Sequence, residues 1–244
     1  MKKILTTAIL CAGLVGFTAC DSFLDEEPKS SLTLDTYYKT SADIIGNVNY
    51  LYRDGAPDKM GNMTGAYRGS SLSVMNMVTG YFVNEYEGQE VDCSYARQLT
   101  RQDFTQSCCN YLTNDTWKSC YKSINVANAV IKYVDGVEMD NQAQYKAEAR
   151  FFRALNYFYL VKMFGDVPMV TEPTEDATLV EYPTRTAASE VFNTVIIPDL
   201  QFAVENLPNA TFAGNSHRVT KYAADMLLAD VYMRLGEYAN AVTP

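Results

Sequence analysis

"YKAEARFFRALNYFYLVKMFGDVPMV", Tyr145 to Val170, is the stretch on which the reading of the fold turns. At 3.6 residues per turn, Tyr145, Ala149, Phe152, Asn156, Tyr159 and Met163 fall on one stripe. Phe151, Ala154, Phe158 and Val161 form a second. Two apolar stripes predict a helix packed on both sides, and the small Ala149 and Ala154 let its neighbours approach closely. Gly165 suits a left-handed C-cap, and Pro168 blocks continuation of the helix. Glu148, Arg150 and Arg153 read as surface charges making salt bridges on a scaffold helix, not as catalytic groups.

The flanking sequence repeats the helical pattern. From Thr116, the residues Trp117, Tyr121, Ile124, Asn128 and Ile131 step by helical spacing along one face. Asn128 is the odd polar member, expected to hydrogen-bond a neighbouring chain segment; Asp135-Gly136 ends the run. Further upstream, "SADIIGNVNYLYR" places Ile44, Val48 and Leu51 on one helical face, with Ser41 as N-cap. Between these helices, residues 54 to about 112 are rich in Gly, Ser, Asn and Asp and read as loop. The apolar stretch Leu72 to Val83 inside it leans towards helix, with its state left open.

Downstream, "TRTAASEVFNTVIIPDLQFAVENLP" reads as a helix capped by Thr186, interrupted or kinked at Pro198 and closed before Pro208. The last segment, "LLADVYMRLGEYANAV", resembles the tetratricopeptide repeat, with Gly236, Tyr238 and Ala241 at the matching positions of its turn and second helix. A second helix barely one turn long leaves such a repeat without its partner. The expectation is therefore of a piece of a longer protein.

The front of the chain has a different character. Lys2 and Lys3 precede the uncharged Ile4 to Phe17, too short to span a bilayer, for which about 20 apolar residues are needed. The stretch reads as a secretory signal ending in Thr18-Ala19-Cys20, which resembles the lipobox of bacterial lipoproteins, with Phe17 where Leu is usual. In that family the cysteine, here Cys20, becomes the acylated N-terminus. The acids Asp21, Asp25, Glu26 and Glu27 follow, both a solvated tether and, in some Gram-negative lipoproteins, a surface-export tag. The predicted organisation is a signal peptide over 1–19, a lipidated acidic tether over 20–40 and a helical domain over 41–244.

Composition narrows the function. The chain carries 20 basic against 29 acidic side chains, and losing the leader removes two basic and no acidic ones. An acidic surface argues against nucleic acid and against charge-driven docking on anionic lipid. The single histidine, His217, leaves no multi-histidine metal site and reads as a loop or capping residue. No EF-hand spacing is present, and no metal or cofactor is assigned. Behind the leader and Cys20, the cysteines Cys93, Cys108, Cys109 and Cys120 lack a tight C-x-x-C pair; an exported chain permits one disulfide among them, its pairing open. Eighteen tyrosines against one tryptophan suit inter-helix contacts and sugar faces alike.

Taken in order, Cys20, "FLDEEP", Trp117 with Tyr121 and Asn128, "AEARFFRALNYFYLVKMFGDVPMV", "IIPDLQFAVENLP" and "RVTKYAADMLLADVYMRLGEY" resemble the SusD/RagB family of outer-membrane nutrient-binding lipoproteins. The match covers nearly the whole chain behind the leader, and the Ala147–Pro168 block is its most specific part. The resemblance implies a mostly α-helical fold, a tetratricopeptide-like scaffold with irregular ligand-facing loops, and about twice this length in full. It implies a surface lipoprotein that is not an enzyme. Such a protein captures a glycan or other nutrient as a lid over a SusC-like TonB-dependent transporter. The family's aromatic sugar platform sits on variable loops and transfers no residues by motif. Within this chain, the best site lies in "YFVNEYEGQEVDCSYARQ", where Tyr86 and Tyr95 offer rings and Glu85, Glu87 or Asp92 accept hydroxyl hydrogen bonds. Two other readings compete. A lipid-anchored glycosidase needs two carboxylates about 5 to 9 Å apart, with Glu85, Glu87, Glu90 and Asp92 as candidates. A periplasmic helical-repeat adaptor needs only the scaffold.

Overall fold

A computed structural model of the chain describes residues 33–53, 78–81, 100–102, 106–174 and 183–242. The chain divides at Tyr37 into two units, each taken by itself. In the first, α1 (Leu34–Tyr37) is one turn, closed by the Tyr37 N–H donating to the Thr33 carbonyl at 2.9 Å.

The second unit is built from α2 (Ser41–Arg53), α3 (Gln106–Tyr133), α4 (Gln142–Phe164), α5 (Ala188–Val191), α6 (Ile197–Asn206), α7 (Lys221–Leu235) and α8 (Tyr238–Val242). A two-residue antiparallel pair, β1 (Val167–Pro168) with β2 (Arg185–Thr186), joins the ends of the segment after α4. The fold is mostly helical. α3 and α4 form a hairpin; α2 packs across both, α6 lies on the other side of α4, and α7 packs on α6.

The core follows the predicted faces. Ile44, Val48 and Leu51 of α2, Ile124 and Asn128 of α3, and Ala149, Phe152, Ala154 and Phe158 of α4 are buried as expected. Val130, Leu160 and Leu200, which lay on none of those faces, are buried too, while Ile131, Tyr145, Tyr159 and Met163 stay half-buried. Removing each large aliphatic or Phe side chain among the buried ones from water stabilises the fold by about 1.5–3 kcal/mol. Tyr38 stacks flat on Tyr133, with ring centroids 5.2 Å apart, and fastens the entrance of α2 to the end of α3.

Four local expectations change. The N-cap of α2 is Thr40, not Ser41: the Thr40 N–H and hydroxyl donate to Asp43 Oδ2 at 2.8 and 2.7 Å, and the Asp43 N–H returns a bond to Thr40 Oγ1. Ser41 is already inside the first turn. α3 starts at Gln106, inside the last residues of the stretch read as loop up to about 112. Thr186 is a strand residue; the first amide of α5, that of Ala188, is capped instead by Asp166 Oδ1 at 2.9 Å, a residue 22 positions earlier. At the end of α4, Gly165 has φ 68° but ψ −124°, outside the left-handed helical well, a conformation essentially limited to glycine.

The interruption expected at Pro198 appears as a π-turn over Phe192–Ile196. Proline offers no N–H, and its ring would strike the carbonyl of Thr194 in a regular α-helix. Widening the preceding turn removes that clash without breaking the rod. The Gly236 turn is a full Schellman cap: φ is 75°, the Glu237 N–H reaches the Tyr232 carbonyl at 2.9 Å and the Gly236 N–H reaches Met233 at 3.2 Å. This is the helix–turn–helix expected of the repeat-like ending. Of the Leu72 to Val83 stretch, only 78–81 are described, and they form a turn with Gly80 at φ 77°.

Candidate functional site

The predicted anchor Cys20, the ring candidates Tyr86 and Tyr95, and the acids Glu85, Glu87, Glu90 and Asp92 lie outside the described residues. So do Cys93 and the side chains of Cys108 and Cys109; Cys120 is buried in α3. Within the described residues, two buried ionic centres on α4 organise the helical frame.

The first centre joins α3, α4 and α6. The Arg153 guanidinium donates to Asp199 through Nε–Oδ2 at 2.7 Å and Nη2–Oδ1 at 2.9 Å, a bidentate fork. Its Nη1 donates to Asn128 Oδ1 at 2.9 Å. Arg150 stands 3.7 Å from Asp199 and packs on the Phe202 ring. Burial pushes the Asp199 carboxyl above the usual carboxylate range, and the bonds and charges of Arg153 and Arg150 pull it back only in part. Asn128 passes the order outward: its amide donates to the Val170 carbonyl at 3.0 Å and the Glu172 carbonyl at 3.2 Å. Three other side chains hold the same strap. Tyr157 hydroxyl brackets Val170, donating to its carbonyl at 2.9 Å and accepting its N–H at 2.7 Å. Tyr121 donates to the Pro168 carbonyl at 2.7 Å, and Asn125 Oδ1 accepts the Thr174 N–H at 2.7 Å. Burial pushes the Tyr157 phenol up to about 12. The predicted role of Asn128 as a tie to another segment is thus observed.

The second centre joins α2, α4 and the loop before α7. Arg218 donates to both oxygens of Glu148, with Nη2–Oε2 at 2.6 Å, and reaches Asn49 Oδ1 at 2.7 Å. Its guanidinium lies 4.9 Å from the Tyr52 ring and 5.3 Å from that of Tyr145. Tyr52 completes the ring of bonds, donating to Glu148 Oε2 at 2.8 Å and accepting the Val219 N–H at 3.0 Å. Burial works against the Arg218 charge, but the Glu148 carboxylate outweighs it and raises its pKa. Burial and the Glu148 charge also raise that of the Tyr52 phenol.

These centres correct the reading of α4's charges. Glu148 is fully buried and Arg153 is 8% exposed, so they are interior ion pairs and not surface ones. The signal was present in the sequence: both stand among alanines and aromatics on a helix apolar nearly all round, where a charge needs a buried partner. At the β1/β2 end, Trp117 packs edge-on against Phe164 at 5.1 Å, and Arg185 lies 5.6 Å from the Trp117 ring while donating to the Asp166 carbonyl. His217 sits exposed in a loop at φ 62°, edge-on to Phe212. Among the described residues, no three His, Cys, Asp or Glu side chains gather as a metal site, and no helix is long and apolar enough to cross a membrane.

Comparison with known proteins places this frame. Residues 22–233 match the SusD-like family model described as "starch-binding associating with outer membrane". SusD-like protein P2 of Formosa agariphila is 29% identical over 244 residues, covering 99% of this chain and 45% of that protein. A laminarin-binding SusD-like protein superposes with a TM-score of 0.67 at 24% identity, covering 84% of this chain and 43% of that one, a likeness of fold. A structure solved with a xylogluco-oligosaccharide gives a TM-score of 0.57 at 25% identity, over 78% of this chain and 34% of that one. The chain therefore spans under half the length of these relatives. With residues 22–233 matched by the family model, the chain belongs to the SusD-like family.

Proposed function

We propose that the chain is the N-terminal part of a surface lipoprotein that binds a glycan and delivers it to a SusC-like TonB-dependent outer-membrane transporter. The observation that carries this reading is the family match over residues 22–233, a family described as starch-binding and outer-membrane-associated. The relative solved with a xylogluco-oligosaccharide and the laminarin-binding fold neighbour point to a glycan over other nutrients. Acylation at Cys20 supplies the membrane attachment that an acidic chain does not gain by charge.

A binding role and not an enzymatic one fits the chemistry of the frame. Glu148 and Asp199, its two buried carboxylates, are each held by an arginine fork. Neither is placed to act as a proton donor or nucleophile to a sugar. Tyr86 and Tyr95 are proposed as stacking rings for the glycan, with neighbouring acids as hydroxyl acceptors. The test is co-purification from outer membranes in mild detergent: a large β-barrel accompanying the lipoprotein supports the lid role, and its absence favours a free-standing adaptor. Affinity electrophoresis in neutral glycans of the wild type and of Tyr86→Ala and Tyr95→Ala tests the binding itself. Retardation that both variants leave unchanged would remove these rings from the site.

A further inference from the structure

A cleft of about 640 Å³ opens between the first turn of α2 and the connection from α3 to α4. Its polar lining comes from Ser41, Glu138, Asp140 and Asn141, and the rest from Ile45, Met139 and Tyr145. The volume lies in the range of small-molecule sites, about 300–1,000 Å³.

The walls are fixed from behind. Gln142 Nε2 donates to the carbonyls of Val134 at 2.7 Å and Val137 at 3.0 Å, and Val137 is itself buried. Lys146 pairs with Asp135 across the base of the connection. On the other side the Thr40–Asp43 box sets the start of α2. A site whose walls are already ordered loses little on binding.

Its chemistry selects the ligand. Two carboxylates, an amide and a hydroxyl offer acceptors and donors at short spacing, next to an aromatic ring and an aliphatic patch, the two kinds of surface a pyranose presents. The lining contains no cation, and the Arg218 guanidinium over the Tyr145 ring is already paired with Glu148, so an anionic sugar would meet the repulsion of Glu138 and Asp140. The two carboxylates also lack a third protein ligand for a metal among the described residues. The lining is too polar for a lipid chain. We infer that this cleft is a saccharide subsite for a neutral glycan, with Glu138 and Asp140 accepting sugar hydroxyls and Asn141 donating. This rests on the glycan-binding reading and adds to it a site built from the helical scaffold itself.

The test titrates the protein with maltohexaose and laminarihexaose, following the Asn141 side-chain amide by NMR and affinity by calorimetry. The comparison is with Glu138→Gln/Asp140→Asn, two exposed positions whose change leaves the core untouched. The expected result is a shift of the Asn141 amide on addition of one of these glycans, with the double variant binding it about tenfold more weakly, the scale of one lost charge-assisted hydrogen bond. A glycan that binds with the Asn141 amide unmoved and the double variant unchanged overturns the cleft and leaves the wider glycan-binding reading standing. Binding of neither glycan, nor of any in a broader neutral panel, brings down both.

Discussion

α4 and α7 are both apolar helices of the same scaffold, and they are finished differently. α4 buries residues on every side, among them Phe152, Ala154, Tyr157 and Leu160, and seats two arginine–carboxylate centres among them. α7 buries Ala224, Leu228 and Val231 against α6 and leaves its opposite face open. There Tyr222 is 54% exposed, Met226 76% and Met233 52%, and Tyr238 and Val242 continue the patch onto α8. Apolar patterning brings a helix to a core; whether both faces are used depends on how many partners the chain supplies.

The comparison breaks most severely at α4's charges. Asp199→Ala strands the buried Arg153 and should cost about 3–5 kcal/mol, a change visible in the urea midpoint. A loss below 1 kcal/mol would show that the pair is better solvated than its burial implies. Asn128→Ala comes next: it removes the clamp on Val170 and Glu172 and leaves one Arg153 donor unmatched, at about 1–3 kcal/mol. Hydrogen exchange should rise first in residues 170–174, and uniform loosening of the whole chain would refute the idea of a clamp. Gly236→Ala forces a side chain into the left-handed turn between α7 and α8, at about 1–2 kcal/mol. Thermal unfolding reads it, and an unchanged Tm would mean that the turn has relaxed to another conformation.

The open face should respond least in stability and most in association. Met226→Ser with Tyr222→Ser should shift stability by no more than about 0.5 kcal/mol, as exposed positions do. Binding of a hydrophobic dye and self-association at high concentration should both fall; a large loss of stability would show the face to be covered within this chain. The smallest effect is a pH dependence at the entrance to α2. Bonds from the Thr40 hydroxyl and N–H hold the Asp43 carboxyl below its ordinary value, so its contribution is complete above pH 3.8 and is lost as pH falls through the lower folded pKa. A Thr40→Ala variant should lose that part of the acid dependence, measured as the difference in Tm between pH 5 and pH 2.5.

The core was legible in the sequence where period and side-chain type agree. Ile44, Val48 and Leu51 fell on one face because a 3.6 repeat of aliphatics admits no other regular use, and Gly236 announced its turn because only glycine takes φ 75° without strain. Asn128 was singled out as a polar residue on an apolar face, and such a residue must find a partner. The beginning of α3 and the caps of α2 and α5 were not legible. The first turns of α3 are short of the apolar repeat that marks the rest of it, and the cap of α5 comes from Asp166, beyond the reach of any local motif. The ligand candidates Tyr86 and Tyr95 remain a reading of the sequence, proposed on the chemistry of their stretch.

Taken alone, the sequence determined the helices, their apolar faces and the family, because these depend on local spacing and on blocks of residues that recur together. Only the tertiary structure decided how the charges of α4 are paired, since nothing local points to Arg218 and Asp199, 70 and 46 positions away, as the partners of Glu148 and Arg153. A buried charge is tolerated only beside its partner, and it is the fold that brings such distant partners together.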